Sequence, residues 1–236
     1  MEEALAAGLT FRGAVTAPEL ARTTRGTALV AELARHAIAV ERASARTLLD
    51  LADTDTPQGI IAVVEPRRWT VNEITAARGR ATLVIDGVQD PGNVGTLIRT
   101  AHALGAAGTI VLRGSADPVS PKALRAAMGA TFRHPVVALD DAAFIAWARR
   151  HDVTLWATAA DGVAIERALP AAEATKREAG AAPPVAVIVG NEGAGIRPAL
   201  NAVAARRVAI PLAQGAESLN VAVAAGILLY EVLRGR

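Results

Sequence analysis

The chain has 236 residues, of which 52% are hydrophobic and 20% are charged, and its formal net charge is +2. This composition excludes a disordered chain, and the length suits one large domain or a small domain joined to a medium one. The chain has no cysteine. This excludes disulfides, thiolate metal sites and a cysteine nucleophile, and it favours a reducing compartment. The first residues lack a signal-peptide pattern and no apolar run reaches about 18 residues, so we expect a cytoplasmic protein.

Roughly the first quarter of the chain is predicted to form a smaller unit. Residues 1–65 end in a predicted strand at 59–64, which follows a polar turn. Residues 66–80 are rich in arginine and contain proline and glycine, which indicates a linker. Residues 81–236 then form a second, larger domain.

In this larger domain, short β-type runs alternate with helical stretches. Strands are predicted at 82–86, 109–112, 136–139, 154–158, 185–189 and 208–210. Helices are predicted at 94–104, 121–129, 141–151, 197–205 and 219–233, with a surface loop at 170–184. Several strands are continuously apolar, which is typical of a parallel sheet covered on both faces. The pattern predicts an α/β fold whose ligands bind beyond the carboxyl ends of the strands.

The first chemically suggestive segment covers residues 85–106. A strand ends at Asp86, and Asn93 stands where a helix N-cap is expected. Arg99 lies off the apolar stripe of the following helix, and Gly95, one turn earlier, is expected to leave open space beside it. The alternative is an ordinary solvated arginine on an amphipathic helix.

The second segment, residues 185–196, runs from a buried strand into the sequence GNEGAG. Its glycines permit positive φ and close approach of a ligand to the backbone. The spacing differs from the dinucleotide-binding pattern, and Glu192 would oppose a phosphate. A carboxylate in such a loop fits a small ligand that is cationic or rich in hydroxyls and amines. An ordinary strand-to-helix turn is the alternative.

The third segment covers residues 207–233. A strand ends at Pro211, a loop passes through Gly215, and either Ser218 or Asn220 is expected to cap the last helix. From residue 221 to 233 this helix carries one charged side chain, Glu231. We expect it to be buried on most sides and to contribute to a subunit interface.

Together the three segments resemble the motifs of the SpoU/TrmH branch of the SPOUT methyltransferases. The matches are N-x-G-x-x-x-R at 93–99, G-N-E-G-x-G at 190–195 and I-P-(x)6-S-L-N-V-A at 210–222. Residues 54–64 resemble the end of the family's substrate-binding domain. The opening EALAAG resembles a stretch usually found inside that domain, so the domain is expected to be shortened.

The resemblance implies transfer of a methyl group from S-adenosylmethionine to a ribose 2′-hydroxyl of a structured RNA, either rRNA or tRNA. It implies a mostly parallel sheet with helices on both faces and a deep C-terminal trefoil knot, preceded by a small RNA-substrate-binding domain. It also implies a homodimer formed by the catalytic domain, and no membrane partner. The expected cofactor-binding residues are Gly190, Ile210, Leu219, Glu192 and Gly195.

The resemblance gives Arg99 the central catalytic role, with Asn93, Glu192, Ser218 and Asn220 as the other polar motif residues. A guanidinium is a poor base, so we favour stabilisation of the developing alkoxide or a clamp on the adjacent phosphate. Glu192 balances the positive charge of the cofactor or takes part in proton removal. No metal is expected. The alternative functions are a nicotinamide-dependent oxidoreductase that uses residues 190–195, and a non-catalytic RNA-binding protein of the same fold.

Overall fold

The computed structural model describes residues 1–169, 183–214 and 216–234. The chain divides into two compact units, Met1–Arg68 and Trp69–Arg236. Among the helices of the described ranges, none has both the length and the apolar character needed to cross a membrane.

The first unit is a small three-stranded sheet with helices. Its elements are α1 (Glu2–Ala6), β1 (Phe11–Thr16), a 3₁₀ turn (Leu20–Arg22), α2 (Thr24–Arg35), β2 (Val40–Arg42), α3 (Ala45–Leu51) and β3 (Ile60–Val64). The central strand β1 pairs in parallel with β2 and antiparallel with β3. Thr23 and Ser44 cap α2 and α3, because each side chain accepts a hydrogen bond from a backbone N–H of the first turn.

The second unit is built on a six-stranded parallel sheet with the order β6-β5-β4-β8-β7-β9. Its strands are β4 (Ala81–Asp86), β5 (Gly108–Leu112), β6 (Val136–Leu139), β7 (Thr154–Ala164), β8 (Val185–Gly190) and β9 (Arg206–Ala209). Its helices are α4 (Pro91–Ala103), α5 (Pro121–Ala127), α6 (Asp141–Arg150), α7 (Ile165–Ala168), α8 (Pro198–Val203) and α9 (Val221–Leu233), with 3₁₀ turns at Val71–Glu73 and Ala130–Phe132.

Both faces of this sheet are covered, which confirms the predicted α/β class. Alternate residues of one strand enter different cores: Leu83 and Ile85 of β4 pack in one cluster with residues of α4 and α9, and Val84 packs in another with residues of α6 and α8. This double burial explains why the strand sequences are continuously apolar.

The strand order determines where the candidate site lies on the sheet. Beyond β4 the chain adds β5 and β6 on one side, whereas β8 lies on the other side, inserted between β4 and β7. The loops that leave the carboxyl ends of β4 and β8 therefore start side by side on adjacent strands and lead to helices on opposite faces of the sheet. Ligands bind at such points in open α/β sheets. The trefoil knot stays a prediction.

The second unit begins at Trp69, so most of the segment expected to be a linker is packed within this unit. Ile74 is only 2% exposed and belongs to a core cluster against which Trp69 and Val71 pack. The apolar side chains interspersed among the arginines and prolines of this segment supply the reason. Of the loop predicted at 170–184, residues 170–182 lie outside the described residues.

Candidate active site

The first segment begins its helix three residues earlier than predicted. Asp90, not Asn93, is the N-cap of α4: its Oδ1 accepts a hydrogen bond from the backbone N–H of Asn93 at 2.9 Å. The Lys122 ammonium lies 2.6 Å from Asp90 Oδ2 and, together with the backbone N–H of Asn93, lowers the pKa of that carboxyl. Because Asp90 caps the helix, the Asn93 side chain is not needed for the cap.

The second segment forms a tight loop that is built around Asn191. Its Oδ1 accepts hydrogen bonds from the backbone N–H groups of Gly193 and Ala194, both at 2.9 Å, and its Nδ2 donates to the Gly87 carbonyl at 3.0 Å. A Cβ atom on Gly190 would lie 2.3 Å from the Gly195 carbonyl carbon, so only glycine lets the loop close on itself.

Asn191 and Ser115 are structural residues of the site that the sequence reasoning missed. The Ser115 hydroxyl accepts from the Gly87 N–H at 2.9 Å and donates to the Ile85 carbonyl at 3.1 Å. Both backbone polar groups of Gly87 are thus hydrogen-bonded, the N–H to Ser115 and the carbonyl to Asn191. The signal for Asn191 was its place in a glycine-rich loop, since asparagine side chains often bond to the backbone two or three residues ahead. Nothing comparable marked Ser115.

Asn93 joins all three segments through its side-chain amide. Its Nδ2 donates to Glu192 Oε1 at 2.6 Å, and its Oδ1 accepts from Asn220 Nδ2 at 3.1 Å. Asn220 in turn caps α9, because its Oδ1 accepts from the backbone N–H of Ala222 at 2.9 Å. The structure therefore brings Asn93 together with Glu192 and Asn220, which lie 99 and 127 residues further along the chain.

Arg99 is exposed on α4, and its side chain makes no hydrogen bond or ion pair with any residue of the described ranges. The expectation that Gly95 leaves open space beside it is wrong. A Cβ on Gly95 would lie 2.2 Å from the Ala123 carbonyl oxygen, so this glycine allows α5 to pack closely against α4. Arg99 thus presents a positive charge to solvent at the same helix that carries Asn93.

The third segment lines a cleft of about 400 Å³. Small residues of β7 form one wall, and residues that follow β9 form the other: Ala160, Gly162, Ala164, Ala209, Ile210, Pro211, Leu212, Ala216 and Glu217. Of the expected cofactor-binding residues, Ile210 lines this cleft, whereas Gly190, Glu192 and Gly195 lie in the loop after β8. Leu219 is exposed and directly precedes Asn220. Ser218 is exposed and does not cap the helix, and Gly215 lies outside the described residues.

Comparison with known proteins gives this arrangement a family. Residues 80–230 match the family model described as "SpoU rRNA Methylase family", and residues 1–70 match that of "RNA 2'-O ribose methyltransferase substrate binding". The chain belongs to the SpoU rRNA methylase family. As a SpoU methylase it is an RNA 2′-O-methyltransferase that uses S-adenosylmethionine, and the nicotinamide-dependent alternative is not retained.

Two relatives and two solved structures illustrate the similarity of this SpoU methylase to characterised proteins. It is 40% identical to the 23S rRNA (guanosine(2553)-2′-O)-methyltransferase RlmP of Bacillus subtilis over 185 residues, which is 78% of this chain and 68% of the relative. It is 33% identical to the 23S rRNA (guanosine-2′-O-)-methyltransferase RlmB of Acinetobacter baylyi over 206 residues, which is 84% of this chain and 79% of the relative.

The crystal structure of an rRNA methyltransferase from Sinorhizobium meliloti with S-adenosylmethionine bound superposes with a TM-score of 0.81 at 31% identity, covering 99% of this chain and 83% of the other. The SpoU methyltransferase AviRb of Streptomyces viridochromogenes, in complex with the same cofactor, gives a TM-score of 0.79 at 28% identity, covering 99% and 86%.

Proposed function

We propose that this SpoU methylase transfers a methyl group from S-adenosylmethionine to the ribose 2′-hydroxyl of a guanosine in 23S rRNA. The observation that carries the proposal is the hydrogen-bonded bridge through Asn93, which joins the three motif segments at the carboxyl ends of β4 and β8. The similarity to relatives named as 23S rRNA guanosine 2′-O-methyltransferases supports this choice of substrate. We also propose that the reaction takes place in the cytoplasm.

The residues beyond β8 and β9 fit S-adenosylmethionine. A Cβ on Gly195, which has a φ of +69°, would meet nothing within 4 Å, so the backbone of the loop is open to a ligand there. Leu212 and Leu219 are 39% and 38% exposed and offer apolar contact to an adenine. Glu192 supplies a negative charge for a cationic ligand. We therefore propose Gly190, Ile210 and Leu219, with Glu192 and Gly195, as the cofactor-binding residues.

The bound cofactor supplies an electrophilic methyl group on a sulfonium, and the chain has to orient and activate the nucleophile. Glu192 is held at one oxygen, Oε1, by Asn93. Its other oxygen accepts no hydrogen bond within the described ranges and is available to attract a cation or accept a proton. Arg99 remains protonated at any working pH, so its role is electrostatic: it stabilises the alkoxide that develops at the 2′-oxygen or holds the neighbouring phosphate. We propose Ser218, exposed beside Asn220, as a contact to the substrate.

The last helix carries the proposed dimer interface. Val223, Ile227 and Tyr230 follow one another at helical spacing on α9 and are 52%, 37% and 54% exposed. The opposite side of the helix, with Ala225, Leu228 and Leu229, is buried in the core cluster that also contains residues of α4. We propose that the exposed stripe pairs with the same stripe of a second copy, since apolar side chains at this spacing are typical of helix interfaces.

RNA binding is proposed to involve the first unit and a few placed arginines. With a net charge of +2, the protein has little general attraction for a polyanion. Affinity then depends on individual phosphate contacts and on the shape of the RNA, which favours a structured target over single strands.

The test is methyl transfer from tritiated S-adenosylmethionine to 23S rRNA, with bulk tRNA as the competing substrate. We expect incorporation into 23S rRNA at a guanosine 2′-oxygen, and incorporation confined to tRNA would overturn the choice of substrate. Arg99→Ala should abolish transfer while calorimetry shows unchanged cofactor binding. Arg113→Ala removes a different exposed arginine and should leave transfer intact. Wild-type turnover by the Arg99 variant would refute the role of that residue.

A lysine at the same position separates the two roles proposed for Arg99. An alkoxide needs a nearby positive charge, which lysine supplies, whereas a phosphate clamp needs the planar fork of arginine. Partial activity with an unchanged KM for RNA in Arg99→Lys therefore indicates alkoxide stabilisation. A raised KM indicates the clamp.

A further inference from the structure

One carboxylate, Asp86, is fully buried at the carboxyl end of β4. A charge in such a place is costly unless it is paired and hydrogen-bonded. Arg197 provides both: its backbone N–H donates to Asp86 Oδ2 at 2.8 Å, and its Nε donates to Oδ1 at 2.5 Å. Both oxygens of the buried carboxylate are thus used by a single residue, which directly follows the loop containing Glu192.

The loop after β8 begins and ends at this carboxylate. Gly190, where the loop leaves the sheet, is the register partner of Asp86 in the pairing of β4 with β8. Arg197, where the chain leaves the loop, is bonded to both Asp86 oxygens. The two ends of the seven-residue stretch from 190 to 196 are therefore fixed at the same point of the sheet.

Arg197 has a second anchor at the start of α6. Its Nη2 donates to Oδ1 of Asp141, the first residue of α6, at 2.8 Å. Partial burial lowers the pKa of the Arg197 guanidinium, but the hydrogen bonds and charges of Asp86 and Asp141 outweigh this effect and leave it raised. The guanidinium is thus held in one orientation by two carboxylates from different elements.

We propose that Arg197 is a positioning residue for methyl transfer, which fixes the base of the loop so that Glu192 stays within hydrogen-bonding distance of Asn93. This inference rests on the function proposed above. Arg197 acts through the loop and does not contact the reacting atoms. A buried ion pair is weak evidence for a role in stability, because apolar residues of similar volume often stabilise a fold as well or better. Here the ion pair fixes the orientation of the base of the loop, and this loop carries the motif carboxylate Glu192.

The first test is Arg197→Lys, which keeps the charge opposite Asp86 but loses the fork that contacts two carboxylates at once. We expect kcat to fall about 10- to 100-fold, as for other small displacements of catalytic groups, while KM for RNA and the dissociation constant for S-adenosylmethionine change less than about threefold. Arg113→Lys is the matched control. Arg113 also pairs with a carboxylate at the start of α6, Asp140 at 3.4 Å, but on the exposed surface, and this variant should retain full activity.

The second test asks whether Arg197 acts through Glu192. In a Glu192→Gln background, measured by single-turnover kinetics with excess enzyme, Arg197→Lys should cause less than a twofold further loss, because the group that it positions is already gone. An equal loss in both backgrounds would show that Arg197 acts elsewhere. Unchanged kcat in the single variant would overturn the proposal outright.

A third variant keeps the proposal testable if Arg197→Lys folds poorly. Asp141→Ala removes only the outer anchor, leaves the buried pair in place and should lower kcat several-fold, again with no further effect in the Glu192→Gln background. Full activity of Asp141→Ala, combined with a loss of folding in Arg197→Lys, would make the pair structural only and refute the inference. If the wild-type enzyme itself methylates no RNA, it is the proposed function that fails, and not the role of Arg197.

Discussion

His134 makes the stability of the second unit depend on pH. Its side chain is 2% exposed, and its Nε2 lies 2.9 Å from the hydroxyl of Thr109, which is itself fully buried. The ring of His102 is edge-on at a centroid distance of 5.8 Å. Burial, and secondarily the neighbouring His102, lowers the pKa of His134 from 6.5 to about 4. The folded protein therefore holds this imidazole neutral at physiological pH.

The sign and size of the effect follow from proton linkage. Between the two pKa values the unfolded chain binds more protons than the folded one, so the free energy of unfolding falls as the pH falls. The contribution of neutral His134 to the free energy of unfolding is fully present above pH 6.5 and is lost as the pH drops towards 4. With these pKa values the loss is about 2 kcal/mol at pH 5 and about 3 kcal/mol below pH 4, at about 1.4 kcal/mol for each pH unit.

Urea unfolding at pH 7.5 and pH 5 measures this contribution. Tryptophan fluorescence reports on the relevant unit, because Trp69, Trp147 and Trp156 all lie in it. Between the two pH values, wild type should lose about 2 kcal/mol more free energy of unfolding than His134→Gln, which cannot take up the proton. His151→Gln removes an exposed imidazole and should behave as wild type. Equal losses in wild type and His134→Gln would refute the reasoning.

Three substitutions test the packing, the loop and the interface. Gly95→Ala should lower the melting temperature by several degrees in calorimetry. Overpacking against Ala123 costs about 1–3 kcal/mol, which exceeds the gain in helix propensity of about 1 kcal/mol. A stabilised variant would contradict the close contact between the two helices. Gly190→Ala should weaken S-adenosylmethionine binding at least about tenfold with little change in melting temperature, because the loop has to open around the new methyl group. Unchanged binding would show that the shape of this loop is not needed to bind the cofactor. Ile227→Glu should convert the proposed dimer to a monomer in analytical ultracentrifugation, since a carboxylate on both sides of an apolar interface is strongly unfavourable, and a persisting dimer would move the proposed interface away from α9.

The sheet of the second unit was predictable because its signal is local. A run such as VAVIV at the start of β8 is apolar at every position, and only a strand with both faces covered accounts for this at such a short length. The meeting of three motif segments was predictable for a related reason: the carboxyl ends of parallel strands lie at one edge, so the loops that follow them converge. In the structure, hydrogen bonds join Asn93 to Glu192 and to Asn220.

The role of Gly95 depended on a contact that the sequence does not show, whereas the N-cap of α4 follows from a residue that the sequence does show. The role of Gly95 is set by Ala123, which lies 28 residues further along, and a glycine in a helix reads the same whether it leaves space or allows close packing. The N-cap of α4 was decided by Pro91. Proline is favoured as the first helical residue, which assigns the cap to Asp90 and makes Asn93 available to bridge the motifs.

Arg99 and Arg197 differ in the electrostatic roles proposed for them. The donors of Arg197 that face Asp86 and Asp141 are occupied, so this guanidinium sets geometry and has little left with which to stabilise a new charge. Arg99 has no carboxylate partner within the described ranges, and its full charge is available to a developing alkoxide or a phosphate. A carboxylate partner at Arg99 would neutralise the positive charge that is proposed to stabilise the alkoxide or bind the phosphate. Without its pairing to Arg197, in contrast, Asp86 would be buried and unpaired. The same type of side chain therefore serves opposite purposes, and the arrangement of carboxylates around each guanidinium separates the residue proposed to act on the substrate from the one proposed to hold the loop.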